Sequence, residues 1–266
     1  MNTQWTPVGD APATDLGLVV RATRIIVLVG AFVGLVVGLP FGLPWLVVPG
    51  AAAGWFLARS VRNGAFDRAV SQVGTRAGSD DEIARVSNVV EGLCAVSGDR
   101  RPRVEMIDHE WPVAFAVASD GEESLIVVSD GFVSSMDRVE TEAVMAHLMW
   151  RIRSGNAEFL VWYLSFHAML SRIGLGSLAQ RLAGVGGQTS VAVWADLAAC
   201  QVTRYPPALV SALEKCRLRF VGTVVLAPLW FALPEDEGAA PAASALHSLG
   251  LVHSSLDERI SILKEI

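Results

Sequence analysis

The chain has 266 residues, 52% of them hydrophobic and 18% charged, with a mean hydropathy of +0.43 and a net charge of -6. That balance is too apolar for an average soluble protein and points to a membrane, while an acidic chain without a basic, aromatic-interleaved patch has no electrostatic footprint for nucleic acid. Three scattered cysteines, Cys94, Cys200 and Cys216, form no C-x-x-C pair, which argues against a disulfide scaffold or zinc knuckle and fits a reducing compartment.

Met1–Asp15 is polar, with Pro7, Gly9 and Pro12, and residues 1–20 read as a flexible tail. Ile25–Ala58 then runs 34 residues without a charge. One helix of that length would reach roughly 50 Å, beyond a ~30 Å hydrocarbon core. Pro40, Gly42 and Pro44 supply a turn, so the expectation is a transmembrane helical hairpin over 21–62 with legs Ile25–Leu39 and Leu43–Ala58. Arg21 and Arg24 before it and Arg59, Arg62 and Arg68 after it place both ends, and the 63–266 domain, on the cytoplasmic side of the inner membrane.

Ser79-Asp80-Asp81-Glu82 is a capping box opening a helix with the stripe Ile83, Val86, Val90 and Leu93, ended by Gly98. Arg103–Ile107, Val113–Ala118 and Leu125–Ser129 are β-prone runs and predict a small antiparallel sheet. Asp137 and Glu140 form a second capping box, from which Val139, Ala143, Ala146 and Trp150 recur at helical spacing. Asn156–Arg172 is a helix apolar nearly all round, buried or against the bilayer. Gly174–Gly187 lacks a phosphate-binding pattern and reads as a loop. Helices follow at Ser190–Arg204 and Pro207–Leu218, an apolar core or interfacial segment at Phe220–Leu233, a loop at Pro234–Ala245, and a closing helix within Ser254–Ile266. The class is α+β, mostly helical.

The frame E-A-V-M-A-H-L-M-W-R-I-R-S-G-N, carrying His147, resembles the active-site helix of the HtpX-like (M48) zinc metallopeptidases, A-H-E-L-A-H-I-R/K-N-G-D. Three further stretches are similar to family segments in the right order. They are Pro112–Val117, Trp194–Ala199 with Tyr205–Leu209, and His253–Ile260. The resemblance implies a zincin-like domain, two His ligands at i and i+4, a Glu base at i+1 and a distant Glu ligand. It also implies an edge strand, here Val113, Ala114, Phe115 and Ala116, that pairs with bound peptide.

At those positions this chain has His147, but Leu148 for the base, Arg151 for the second ligand and Trp194 for the third, with Asp196 kept as supporter. Leucine cannot take a proton, and guanidinium and indole offer no lone pair. A guanidinium roughly 6 Å from a dication would be repelled by about 5 kcal/mol at an effective dielectric of 20. The expectation is therefore a degenerate site with no cofactor, His147 being the surviving ligand candidate. Arg151 and Arg153 are expected to be solvated or paired with an acid such as Asp196, and Trp194 to fill the vacated space. Glu158, His109 and His167 are weighed as replacement ligands.

These readings predict a membrane-anchored pseudopeptidase that binds a peptide segment or another membrane protein, with the bilayer as its other partner and an oligomer left open. Zinc belongs to the alternative, an active endopeptidase with substituted ligands. A third reading is a structural subunit using the 156–172 and 220–233 surfaces.

Overall fold

The computed structural model describes residues 15–119, 123–172, 174, 176, 191–217, 228–232 and 254–266. The tail before Asp15, most of the glycine-rich stretch, residues 220–227, the Pro234–Ala245 loop and the Glu82 side chain lie outside them.

Helix α1 spans Asp15–Gly38, so residues 15–20 are helical rather than tail. Two short 3-10 turns, Leu39–Phe41 and Pro44–Leu46, flank Gly42 (φ 68°), and α2 follows at Val47–Asn63, later than the expected leg because Pro44 opens a turn. The two helices meet through glycine. A Cβ on Gly30 would strike the Gly50 carbonyl, one on Gly34 the Leu46 carbonyl, and one on Gly54 would come within 2.8 Å of the Ile26 carbonyl. Glycines four residues apart therefore let the backbones touch, a small-xxx-small contact. The large side chains point outward, with Leu28, Phe32, Val48 and Phe56 all exposed. Thr23–Phe41 is the segment among the described residues long and apolar enough to cross a membrane; α2 is 17 residues long and ends among Arg59 and Arg62.

Helices α3 (Ala65–Val73) and α4 (Asp80–Ser97, closed by Gly98 at φ 74°) lead to strands β1 (Arg103–Ile107), β2 (Ala114–Ser119) and β3 (Glu123–Ser129). The sheet is mixed, in the order β1-β3-β2, with β3 parallel to β1 and antiparallel to β2. This corrects the antiparallel sheet expected. The three residues between β2 and β3 make them a hairpin, whereas the link 108–113 passes over the end of β3 and leaves β1 on its far edge. Ser129 pins that link: its Oγ donates to Trp111 O (2.6 Å) and accepts from Val113 N (2.9 Å). Gly131 sits under it where a Cβ would collide with the Glu110 carbonyl.

Both faces of the sheet are buried, as the two-sided apolar strands require. Ala114, Ala116, Ile126 and Val128 join one core, with α4 and α6 (Arg138–Arg153); Phe115, Val117, Leu125 and Val127 join another, with α3 and α7 (Asn156–Arg172). Each large aliphatic side chain so buried contributes about 1.5–3 kcal/mol. The remaining helices among the described residues are the short α5 (Asp130–Ser135), α8 (Val191–Thr203), α9 (Pro206–Cys216) and α10 (Leu256–Lys264).

Candidate functional site

The site is organised by α6. Its start is fixed by the capping box, in which Asp137 Oδ1 accepts from Glu140 N (2.8 Å) and Glu140 Oε2 accepts from Asp137 N (2.7 Å). Ser211 and Lys215 of α9 also donate to the Glu140 carboxylate, each at 2.6 Å. Burial opposes the charged form there, but these bonds hold the Glu140 carboxyl below its usual value. The helix is not simply amphipathic. Val139 is exposed, whereas Glu140, Thr141, His147 and Arg151 all point inward among apolar neighbours.

His147 is fully buried, and its Nδ1 lies 2.8 Å from Asp196 Oδ1 on α8. Arg259 on α10, equally buried, donates Nε to Asp196 Oδ2 (2.6 Å) and Nη2 to Oδ1 (2.7 Å). Burial lowers the pKa of His147 to about 4, against the pull of Asp196 and with the help of Arg259 and Arg151, so its imidazole is neutral at pH 7. Burial works the other way on Asp196, but the charge and hydrogen bonds of Arg259, with the bond from His147, keep its carboxyl below the usual range. The Nδ1 proton therefore faces the carboxylate and Nε2 carries the lone pair. That Nε2 is buried without a hydrogen-bond partner among the described residues.

Arg151, one turn along α6, is also buried rather than solvated, and its partner is not Asp196. Nε donates to Asn156 Oδ1 (2.9 Å), Nη1 to the carbonyls of Leu229 (2.9 Å) and Trp230 (3.0 Å), and Nη2 to that of Pro228 (2.8 Å). Arg153 is half exposed and faces Asp99 at 3.7 Å. Arg259 Nη1 takes the next carbonyl, of Phe231 (2.8 Å). The Phe231 ring meets His147 edge-on at 4.9 Å and lies beneath the Arg259 guanidinium at 5.2 Å.

The strand expected to receive a peptide is thus already covered. Phe115 pairs antiparallel with Trp230, Phe231 N donates to Ala114 O (2.8 Å), and Val113, Ala114, Phe115 and Ala116 are all buried.

The other expected residues are accounted for as follows. Leu148 is core. Trp194 is half-buried, its indole N–H without a hydrogen-bond partner among the described residues, and the ring seated on His147 is Phe231. Glu158 belongs to α7 and pairs with Arg62 of α2 at 3.2 Å. His109 Nδ1 accepts from Trp111 N (3.2 Å), and among the described residues no three His, Cys, Asp or Glu side chains converge as a metal group. Arg259 was missed, although a basic residue on the stripe Leu256, Ile260 and Leu263 is a legible signal. Nothing local marks Phe231.

Around His147 the formal charges among the described residues are one negative, Asp196, and two positive, Arg151 and Arg259. The donor set for a metal is one imidazole nitrogen, which does not fit a catalytic zinc with three protein ligands. What this arrangement does well is hold four consecutive backbone carbonyls.

An α+β chain with an apolar N-terminal helix, a buried His–Asp–Arg network and a strand-edge groove is the class these features define. Among curated proteins the chain is similar to proteins named "Protease HtpX homolog". One from Dictyoglomus turgidum is 28% identical over 72% of each chain; one from Bacteroides fragilis is 26% identical over 79% of this chain and 77% of its own. Another, from Limosilactobacillus reuteri, is 25% identical over 83% of this chain and 92% of its own. No family model and no solved structure matches. The chain is thus similar to HtpX homologues along most of its length.

Proposed function

We propose that this chain is a membrane-anchored HtpX-like protein that has lost catalytic zinc and acts as a peptide- or protein-binding scaffold. The observation that carries this reading is Arg151. At the position where the family resemblance implies a second zinc ligand, a buried guanidinium is committed to Asn156 and three main-chain carbonyls. A permanent charge so held cannot leave without stranding buried acceptors, and it repels a dication.

In this reading α1 and α2 form a multi-pass hairpin in the inner membrane, glycine faces together and Leu, Val and Phe toward lipid, with the remaining chain in the cytoplasm. The arginines on both flanks support that orientation. Leu148 and Trp194 support loss of hydrolysis, since neither side chain can move a proton from water or bind an ion. Strand addition needs backbone hydrogen bonds and pockets alone, so binding outlives the catalytic groups.

One observation favours the alternative of an active enzyme with substituted ligands: the unpartnered His147 Nε2, with Nδ1 oriented by Asp196, is poised as a metal ligand would be. Metal analysis of the detergent-purified chain separates the two. The scaffold reading expects far less than one zinc per chain and no chelator-sensitive peptidase activity. About one zinc per chain, lost to chelator together with activity, supports the alternative instead.

A further inference from the structure

A hollow of about 510 Å³ opens where the helical hairpin meets the rest of the chain, between the end of α2, helix α3 and helix α7. Its lining among the described residues includes Arg68 and Arg172, with Ser60 and Gln72 beside them, and no acidic residue. Leu57 and Met169 belong to its apolar part. In a chain of net charge -6, a cavity with two cations and no anion is a local reversal of sign.

Arg68 is fixed by the corner it lies on. Its Nε donates to Gly64 O (2.7 Å) and its Nη2 to Val61 O (2.9 Å), while Nη1 makes no hydrogen bond among the described residues. A Cβ on Gly64 would come within 3.0 Å of that Nη2, so glycine there leaves room for the guanidinium. Arg172, in the last turn of α7, is exposed and has no carboxylate partner among the described residues.

The position along α2 suits a lipid headgroup. Trp55 is exposed, with the Arg59 guanidinium 5.7 Å from its ring centre, a pair suited to the depth where hydrocarbon gives way to water. Ser60 follows roughly 8 Å further along the helix axis. Leu57, exposed on the same helix, continues the hollow toward the apolar surface that carries Phe56 and Val48.

We infer that this hollow binds the phosphate of an anionic glycerophospholipid, with Arg68 Nη1 and Arg172 on the phosphate and an acyl chain along Leu57. The inference goes beyond the scaffold reading and is independent of zinc, but it rests on that reading's placement of α1 and α2 in a membrane. Guanidinium groups match phosphate oxygens in geometry as well as charge, and a free phosphate would use them alone. A lipid also covers Leu57 and Met169, so the apolar part of the lining favours the lipid. Such a lipid ties α3 and α7 to the bilayer and fixes how the domain stands on it.

The test uses the full-length chain, purified in a maltoside detergent and freed of native lipid, with native mass spectrometry counting bound dioleoyl phosphatidylglycerol or dioleoyl phosphatidylcholine. One phosphatidylglycerol binds per chain, about fivefold more tightly than phosphatidylcholine, and Arg172→Gln weakens it about fivefold without removing a hydrogen bond among the described residues. Arg172→Lys keeps most of the affinity, and Arg138→Gln, at the exposed start of α6, leaves it unchanged. Millimolar inorganic phosphate does not displace the lipid.

Equal binding of the two lipids, undiminished binding by Arg172→Gln, or displacement by inorganic phosphate overturns the inference. Release of the chain from membranes by alkaline carbonate would sink the hairpin reading itself. Retention in the membrane without headgroup preference sinks the headgroup site alone.

Discussion

Helices α1 and α6 bury opposite things. α1 turns Gly30 and Gly34 against α2 and leaves Leu28, Phe32 and Val33 exposed, whereas α6 turns Glu140, His147 and Arg151 into the protein. The first arrangement gains little in water, because its large apolar side chains stay outside; it suits a surrounding of lipid, where close backbone packing drives association. The second is tolerable only where each buried polar group finds a partner, and α6 gets its partners from α8, α9, Asn156 and residues 228–230. One helix is specified by its solvent and the other by its neighbours.

The largest effect that would break this contrast is at Asp196. Asp196→Ala leaves Arg259 buried without its counter-ion, so we expect a loss of about 3–5 kcal/mol, read as a steep fall in the thermal midpoint in detergent. An unchanged midpoint would mean that the network does not hold α6, α8 and α10 together.

Acid comes next. His147 titrates at about 4 in the folded chain against an ordinary 6.5, so the folded state binds fewer protons in that interval. Its contribution is complete above about pH 6.5 and lost as pH falls toward 4, a change of about 3 kcal/mol. Thermal midpoints across that range should show it, and His147→Gln should flatten the slope.

On the other helix, Gly34→Leu puts a side chain into the Leu46 carbonyl and should cost about 1–3 kcal/mol by overpacking, against almost nothing for Phe32→Leu on the outer face. The smallest effect is Asp137→Ala, which removes the cap of α6 for about 1 kcal/mol, measured as a modest drop in the same midpoint.

Much of the fold was legible because its signals are local. The Asp137–Glu140 box, the Gly98 stop and the three β runs lie within a few residues of the elements they define. Strand order was not, because the parallel pairing of β1 with β3 depends on where the 108–113 link crosses and on the Ser129 bonds that hold it. His147 and Arg151 could be picked out through the resemblance of their helix to a known active-site helix, but not the destination of Arg151. Its carbonyl partners lie 77–79 residues away, in an apolar stretch whose sequence gives no register. Arg259 carried a readable anomaly, a charge on an apolar stripe; Phe231 carried none.

The most direct test of whether His147 is a neutral, unligated imidazole under Phe231 rather than a metal ligand is nitrogen-15 NMR of the histidine rings at pH 7, with and without one equivalent of zinc. The account predicts His147 as the Nδ1–H tautomer with an unligated Nε2, unchanged on adding zinc. A metal-dependent shift of the His147 Nε2 resonance would contradict it.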